Sequence, residues 1–111
     1  MKNLAKHKIV VKTREVLVQA IYQHLFEKTP SKEILEQFKK EHRSEKVDFK
    51  RFKLCIDTLI KDNEDIEKTI SKEMKIKENE IEIIDKAILC LGIIEMNLSL
   101  IHISEPTRQL C

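Results

Sequence analysis

Glycine is almost absent from this chain: Gly92 is the only one in 111 residues, beside two prolines, no tryptophan and 5% aromatic residues. Phosphate-cradling loops and dinucleotide turns need several glycines at fixed spacing, so most nucleotide-dependent enzymes are excluded. The same shortage of turn residues argues against a β-sandwich or barrel. Cysteine is scarce and unpaired. Cys55, Cys90 and Cys111 are an odd, widely spaced set with no C-x-x-C, so neither a disulfide framework nor a zinc or redox motif is present. His7, His24, His42 and His102 form no ligand pattern such as H-E-x-x-H, and no metal or cofactor is expected. No apolar run approaches the length of a membrane span, and the one after the basic start is too short for a secretory signal. These absences lead to the expectation of one soluble, cytoplasmic domain, whose free thiols suit a reducing compartment.

Charge, by contrast, is plentiful. Charged residues make up 36% of the chain and hydrophobic ones 41%, with a net charge of only +2. That near-neutral total conceals an asymmetry. The first fourteen residues hold Lys2, Lys6, Lys8, Lys12 and Arg14 and no acid, so the remainder is net acidic. A basic arm on a mildly acidic body fits a polyanionic partner at one end, and it equally fits a solvated lysine-rich terminus.

Helical periodicity recurs five times, which predicts an all-α bundle of short helices. The first helix runs from about Ala5 to Lys28, with Val10, Leu17, Val18, Ile21, Tyr22 and Leu25 on one face. Thr29-Pro30-Ser31 ends it and opens a second, to about Glu41, that buries Ile34, Leu35 and Phe38. After a polar loop, a third helix covers about Asp48 to Lys61, with Phe52, Cys55, Ile56 and Leu59 as its stripe. Asp62 to Asp65 supply a cap and acids for a fourth helix, expected to bury Ile66, Ile70 and Met74. Asn79-x-x-Glu82 reads as a capping box for a fifth, about Glu80 to Asn97. This last helix is apolar nearly all round, as a helix central to the core would be.

Catalysis finds no foothold. Glu64, Asp65 and Glu67 are explained by a helix start, and no serine sits in a G-x-S-x-G turn. Cys55 and Cys90 lie within helix patterns where thiols usually pack inertly, although Cys90 has the option of facing outward. The chain is not expected to be an enzyme.

Binding is better supported. At about 100° per residue, Lys8 and Lys12 lie one turn apart on a helix, and lysines so placed neutralise phosphates. Arg14 falls at an angle within the apolar stripe. It either pairs with an acid at the edge of the core or reaches a phosphate or base. Tyr22, the only tyrosine, sits at the edge of that stripe. It is either core with a satisfied hydroxyl or a rim residue able to stack on an unpaired base.

Three blocks carry a resemblance. Arg14-Glu15-x-x-Val18-Gln19-Ala20-Ile21-Tyr22 resembles the first-helix signature of the NusB family of transcription antitermination factors. Val47-Asp48-Phe49-Lys50-Arg51-Phe52 is similar to the family's D-x-x-Y-F opening of a central helix. Ile84-Asp85-Lys86-Ala87-Ile88-Leu89-Cys90-Leu91-Gly92-Ile93-Ile94-Glu95-Met96 is similar to its V/I-D-R/K-A-I-L-R-L-A-I-Y-E-L/M. Together the blocks span roughly residues 6–97.

The resemblance implies an all-α RNA-binding protein. Its partners would be a short single-stranded boxA element of nascent ribosomal RNA, the small-subunit ribosomal protein NusE, and the RNA polymerase antitermination complex. By position it implies RNA contacts at Lys12, Arg14 and Tyr22, while Lys6, His7 and Lys8 are nominated by local charge alone. Some members of the family dimerise, and nothing in these residues decides the matter.

The chain departs from the family pattern at several places. Val10 and Val11 stand where relatives often carry arginines, Thr58-Leu59 where they carry G-V, Cys90 for an arginine and Ile94 for a tyrosine. The family's continuation through two more helices is also missing. Residues 1–97 read as the amino-terminal part of the family fold, and 98–111 resemble a translated sequencing adapter. The expectation is a truncated member that exposes apolar surface on its fifth helix. Two other readings remain open: the NusB-like amino-terminal domain of an rRNA cytosine methyltransferase, and a helical protein–protein module.

Overall fold

A computed structural model describes the backbone of residues 2–76 and 81–110 and the side chains of 4–76 and 81–99. Among these residues the chain forms five α-helices: α1 Lys2–Glu27, α2 Ser31–Glu41, α3 Phe49–Lys61, α4 Asn63–Lys68 and α5 Ile83–Leu110. No strand occurs among the described residues. The all-α fold follows from the lack of turn residues and the repeated helical period. The long α1 packs most extensively on α5 and also meets α2 and α3.

The core is one cluster. From α1 come Val16, Leu17, Ala20 and Ile21; from α2 Ile34 and Phe38; from α3 Phe52, Cys55, Ile56 and Leu59. Ile66 of α4 and Ala87, Cys90, Leu91, Ile94 and Leu98 of α5 close it. Burying a side chain such as Leu17 or Ile21 stabilises the fold by about 1.5–3 kcal/mol each. Gln23 of α1 and Gln37 of α2 exchange reciprocal amide hydrogen bonds of 2.8 and 3.0 Å beside this core. At its other edge Lys86 of α5 meets Glu67 of α4 at 2.7 Å.

Helix ends follow local chemistry. Asp48 caps α3 by accepting the Arg51 amide at 3.1 Å. Pro30, with φ −61° and ψ 148°, sits just before α2, where its missing N–H costs nothing. The end of α1 is less ordinary. Lys28 adopts a left-handed φ of 60° and donates its amide to His24 O at 3.0 Å, the arrangement usually built with glycine. The His24 imidazole reinforces this end by donating from Nδ1 to Thr29 O at 2.8 Å.

The structure corrects several expectations. Val10 is 54% exposed, and Thr13 and Val16 belong to the buried stripe instead, because burial on α1 begins only at Thr13 and residues 4–8 are exposed. The carboxylate of Asp62 makes no cap hydrogen bond; the start of α4 is held through its carbonyl, which accepts from Ile66. Met74 is exposed rather than buried. After Lys68 the helix widens into a π turn, Thr69–Glu73, in which the Met74 amide reaches back five residues to Thr69 O. Each residue of such a turn rotates less than in an α-helix, so the every-fourth spacing fails, and Ile76 packs against the core instead.

On α5, Cys90 is buried at 1% exposure and does not face outward. Nor is this helix buried all round: Ile84, Ile88 and Met96 are exposed on its outer side, as the expectation of bare apolar surface had it. It also continues past Asn97, since the run from Leu98 to Ser104 holds neither glycine nor proline. The expected capping residue Asn79 lies outside the described residues, and the helix opens at Ile83 with the Lys86 amide on Glu82 O.

A left-handed lysine costs backbone free energy that glycine does not. Lys28→Gly is therefore expected to stabilise the fold by about 0.5–1 kcal/mol, read as a higher midpoint in thermal unfolding followed by circular dichroism.

Candidate nucleic-acid interface

Helix α1 is buried along one side only. Thr13, Val16, Leu17, Ala20 and Ile21 face the bundle. At about 100° per residue, Lys8, Lys12 and Tyr22 fall within about 80° of one another on the opposite side. Arg14 lies about 160° round the helix from Lys12, and Lys6 about 160° from Lys8, while His7 follows Arg14. The fold thus gathers three of the six nominated residues on one outward face and leaves Lys6, His7 and Arg14 on another. Lys6, His7 and Lys8 are all exposed.

Lys12 is not a free cation. Its ammonium lies 2.8 Å from Glu45, in the loop before α3, and 3.9 Å from Glu15 one turn on. The hydrogen bond to Glu45 raises the Lys12 pKa above the ordinary lysine value. Lys12, and then His42, whose Nδ1 is 2.9 Å away, hold the Glu45 carboxyl below its ordinary range. A depressed carboxylate contributes its stability at pH above its unfolded value and loses it as pH falls through the folded one. The Lys12–Glu45 pair therefore stays charged at neutral pH and comes apart only in acid. Being solvent-exposed, it holds Lys12 weakly enough for exchange with another anion.

Arg14 settles on the acid at the core's edge. Its Nε and one terminal nitrogen bind the Glu95 carboxylate of α5 at 3.0 and 3.1 Å, a two-pronged contact between helices far apart in sequence. Beside it, Ile9, Val10, Thr13, Leu17, Asp48 and Arg51 line a cavity of about 310 Å³. Thr13 is the buried hinge of this region. Its hydroxyl donates to Ile9 O at 2.7 Å and accepts the Asp48 amide at 2.9 Å, fastening α1 to the start of α3.

Tyr22 is 37% exposed, which makes it a rim residue rather than core. It does not stand alone. Phe26, one turn further and 60% exposed, stacks on it with centroids 5.7 Å apart and planes 13° from parallel. Sequence reasoning missed Phe26. Its four-residue spacing from Tyr22, outside the buried stripe, was the available signal.

The two described thiols, Cys55 and Cys90, are buried and free. Burial pushes Cys55 up and Cys90 to about 11, so both stay protonated at neutral pH. Among the described residues no group of histidine, cysteine and acid side chains could hold a metal, and no helix is long and apolar enough to cross a membrane.

Taken together, these elements define an all-α bundle that offers one face of a long first helix, lysines and aromatic rings included, to the outside. The family is then clear: residues 11–102 match the NusB family, and the chain belongs to it. At family level its role is RNA binding and transcription antitermination, and the family is non-catalytic. No significant match is found among curated proteins or solved structures.

Replacing Thr13 by valine would keep the volume but orphan the Asp48 amide. Thr13→Val is expected to cost about 1–3 kcal/mol in chemical denaturation, while leaving the helical content unchanged.

Proposed function

We propose that this protein binds single-stranded RNA of the boxA type in nascent ribosomal transcripts through α1, as an antitermination factor acting in the cytoplasm beside NusE and RNA polymerase. The observation that carries the reading is the gathering of Lys8, Lys12 and Tyr22 on the outward face of α1, in a chain of an RNA-binding family. Lysines supply attraction that is independent of sequence, and an exposed ring supplies stacking on an unpaired base. Lys6 extends the positive charge at the amino-terminal end of the helix, with His7 exposed beside it. Arg14 reaches a phosphate only by exchanging Glu95 for it, and Lys12 by exchanging Glu45.

The bare outer side of α5, formed by Ile84, Ile88 and Met96, supports the accompanying reading that a protein partner is also bound. In that reading NusE, or a second copy of the chain, is the occupant.

Anisotropy of a labelled single-stranded RNA, titrated at several salt concentrations, tests the proposal. Affinity is expected to fall steeply as salt rises, and each of Lys8→Ala and Lys12→Ala to flatten the slope by about 0.7. Glu45→Gln, which frees the Lys12 ammonium, is expected to tighten binding by about two- to five-fold. Salt-independent binding, or none, would contradict the reading.

A further inference from the structure

The chain holds five aromatic rings, four phenylalanines and one tyrosine. Three of them, Phe38, Phe49 and Phe52, pack against one another in or against the core, with centroids 5.5 and 5.6 Å apart. The other two, Tyr22 and Phe26, belong to neither the core nor the side chains packed on it. Instead they lie stacked on each other in the open.

A phenylalanine with 60% of its surface in water forgoes the burial that its ring would otherwise gain. Its position gives a reason. Phe26 falls at the same helical angle as Lys8, and Lys8, Lys12, Tyr22 and Phe26 together occupy about 80° of the helix circumference. Along the axis, Lys8 and Phe26 are about 27 Å apart, with Lys12 one turn beyond Lys8 and the two rings on successive turns at the other end. Between them stand Glu15, which half-shields Lys12 at 3.9 Å, and exposed Gln19. Cations at one end and π faces at the other suit an extended single strand, its phosphates on the lysines and its bases on the rings. A strand carries phosphates and π faces at regular intervals, so it engages both ends of this face at once.

We infer that Phe26 is a second base-stacking residue, so that the Tyr22–Phe26 pair forms a platform for unpaired bases of single-stranded RNA; this rests on the reading of α1 as the RNA-binding helix. Stacking needs only a π face, so the platform recognises single-strandedness rather than a base sequence. Holding the rings parallel through their mutual stack pre-organises the surface and limits the ordering required on binding.

The absence of tryptophan from the chain makes the test direct. Phe26→Trp places a single tryptophan at the platform, at an exposed position where the fold tolerates the larger ring. Three proteins, the natural chain, Phe26→Ala and Phe26→Trp, are titrated with a labelled single-stranded RNA of about 12 nucleotides and with an abasic strand of equal length. Phe26→Ala is expected to weaken RNA binding about 5- to 100-fold with an unchanged salt slope, and to leave binding of the abasic strand alone. The tryptophan of Phe26→Trp is expected to be quenched by RNA and not by the abasic strand. If the natural chain binds RNA in a salt-dependent way while Phe26→Ala binds equally well and the tryptophan stays bright, the inference fails and the RNA-binding reading survives. If the natural chain shows no salt-dependent RNA binding, both fail together.

Discussion

The one-sided burial of α1 is the constraint on which the remaining features depend. Its inner stripe, Thr13 through Ile21, is taken up by α2, α3 and above all α5. Because a helix turns by about 100° per residue, committing that stripe to the core commits the opposite stripe to water along the whole helix. The outward position of Lys8, Tyr22 and Phe26, with partly buried Lys12 at the edge of the same face, follows directly from Leu17 and Ile21 being buried. Two polar contacts keep this rotation from drifting. The Thr13 hydroxyl ties α1 to the start of α3, and Arg14 clamps it to Glu95 of α5. A helix held by packing alone could roll, and these directional bonds penalise the roll.

The electrostatics of the outer face are those of a surface kept in reserve. Lys12 is satisfied by Glu45, and Glu45 in turn by His42. Such exposed pairs contribute little to stability, so their breakage opposes a phosphate only weakly. Under the proposed reading, acidic neighbours also restrain non-specific attraction, since a strand would have to outcompete the carboxylates to gain the cations. Arg14 differs, because its two-pronged contact to a half-buried acid is more costly to leave than the single contacts of Lys12. Two cations only two residues apart thus differ in how firmly the fold holds them.

Much of this was legible in the residues. The all-α class, the boundaries of α2 and α3 and the core positions Phe52, Cys55, Ile56 and Leu59 follow from periodicity and from Pro30. Membership of the NusB family was legible from three short blocks. What escaped did so for physical reasons. The π turn after Lys68 has no proline or glycine to announce it, because it is set by backbone hydrogen bonding that several residue types accept. The left-handed ends at Lys28 and Lys75 are built with the wrong residue for a glycine rule. The partner of Arg14 lies 81 residues away, and no local pattern names it. The division of the six candidate residues between two faces was within reach of helical-angle arithmetic. It required the buried stripe to centre near Thr13 and Leu17, where the structure has it, rather than near Arg14.

The central claim is that the outward face of α1 is where single-stranded RNA lies. Backbone amide chemical-shift mapping of the isotopically labelled protein during an RNA titration tests it most directly. The account predicts perturbations concentrated at Lys8, Lys12, Gln19, Tyr22 and Phe26, spreading to Glu45 as Lys12 changes partner, with the outer side of α5 silent. Perturbations confined to Ile84, Ile88 and Met96, or to the cavity beside Arg14 and Arg51, would contradict it.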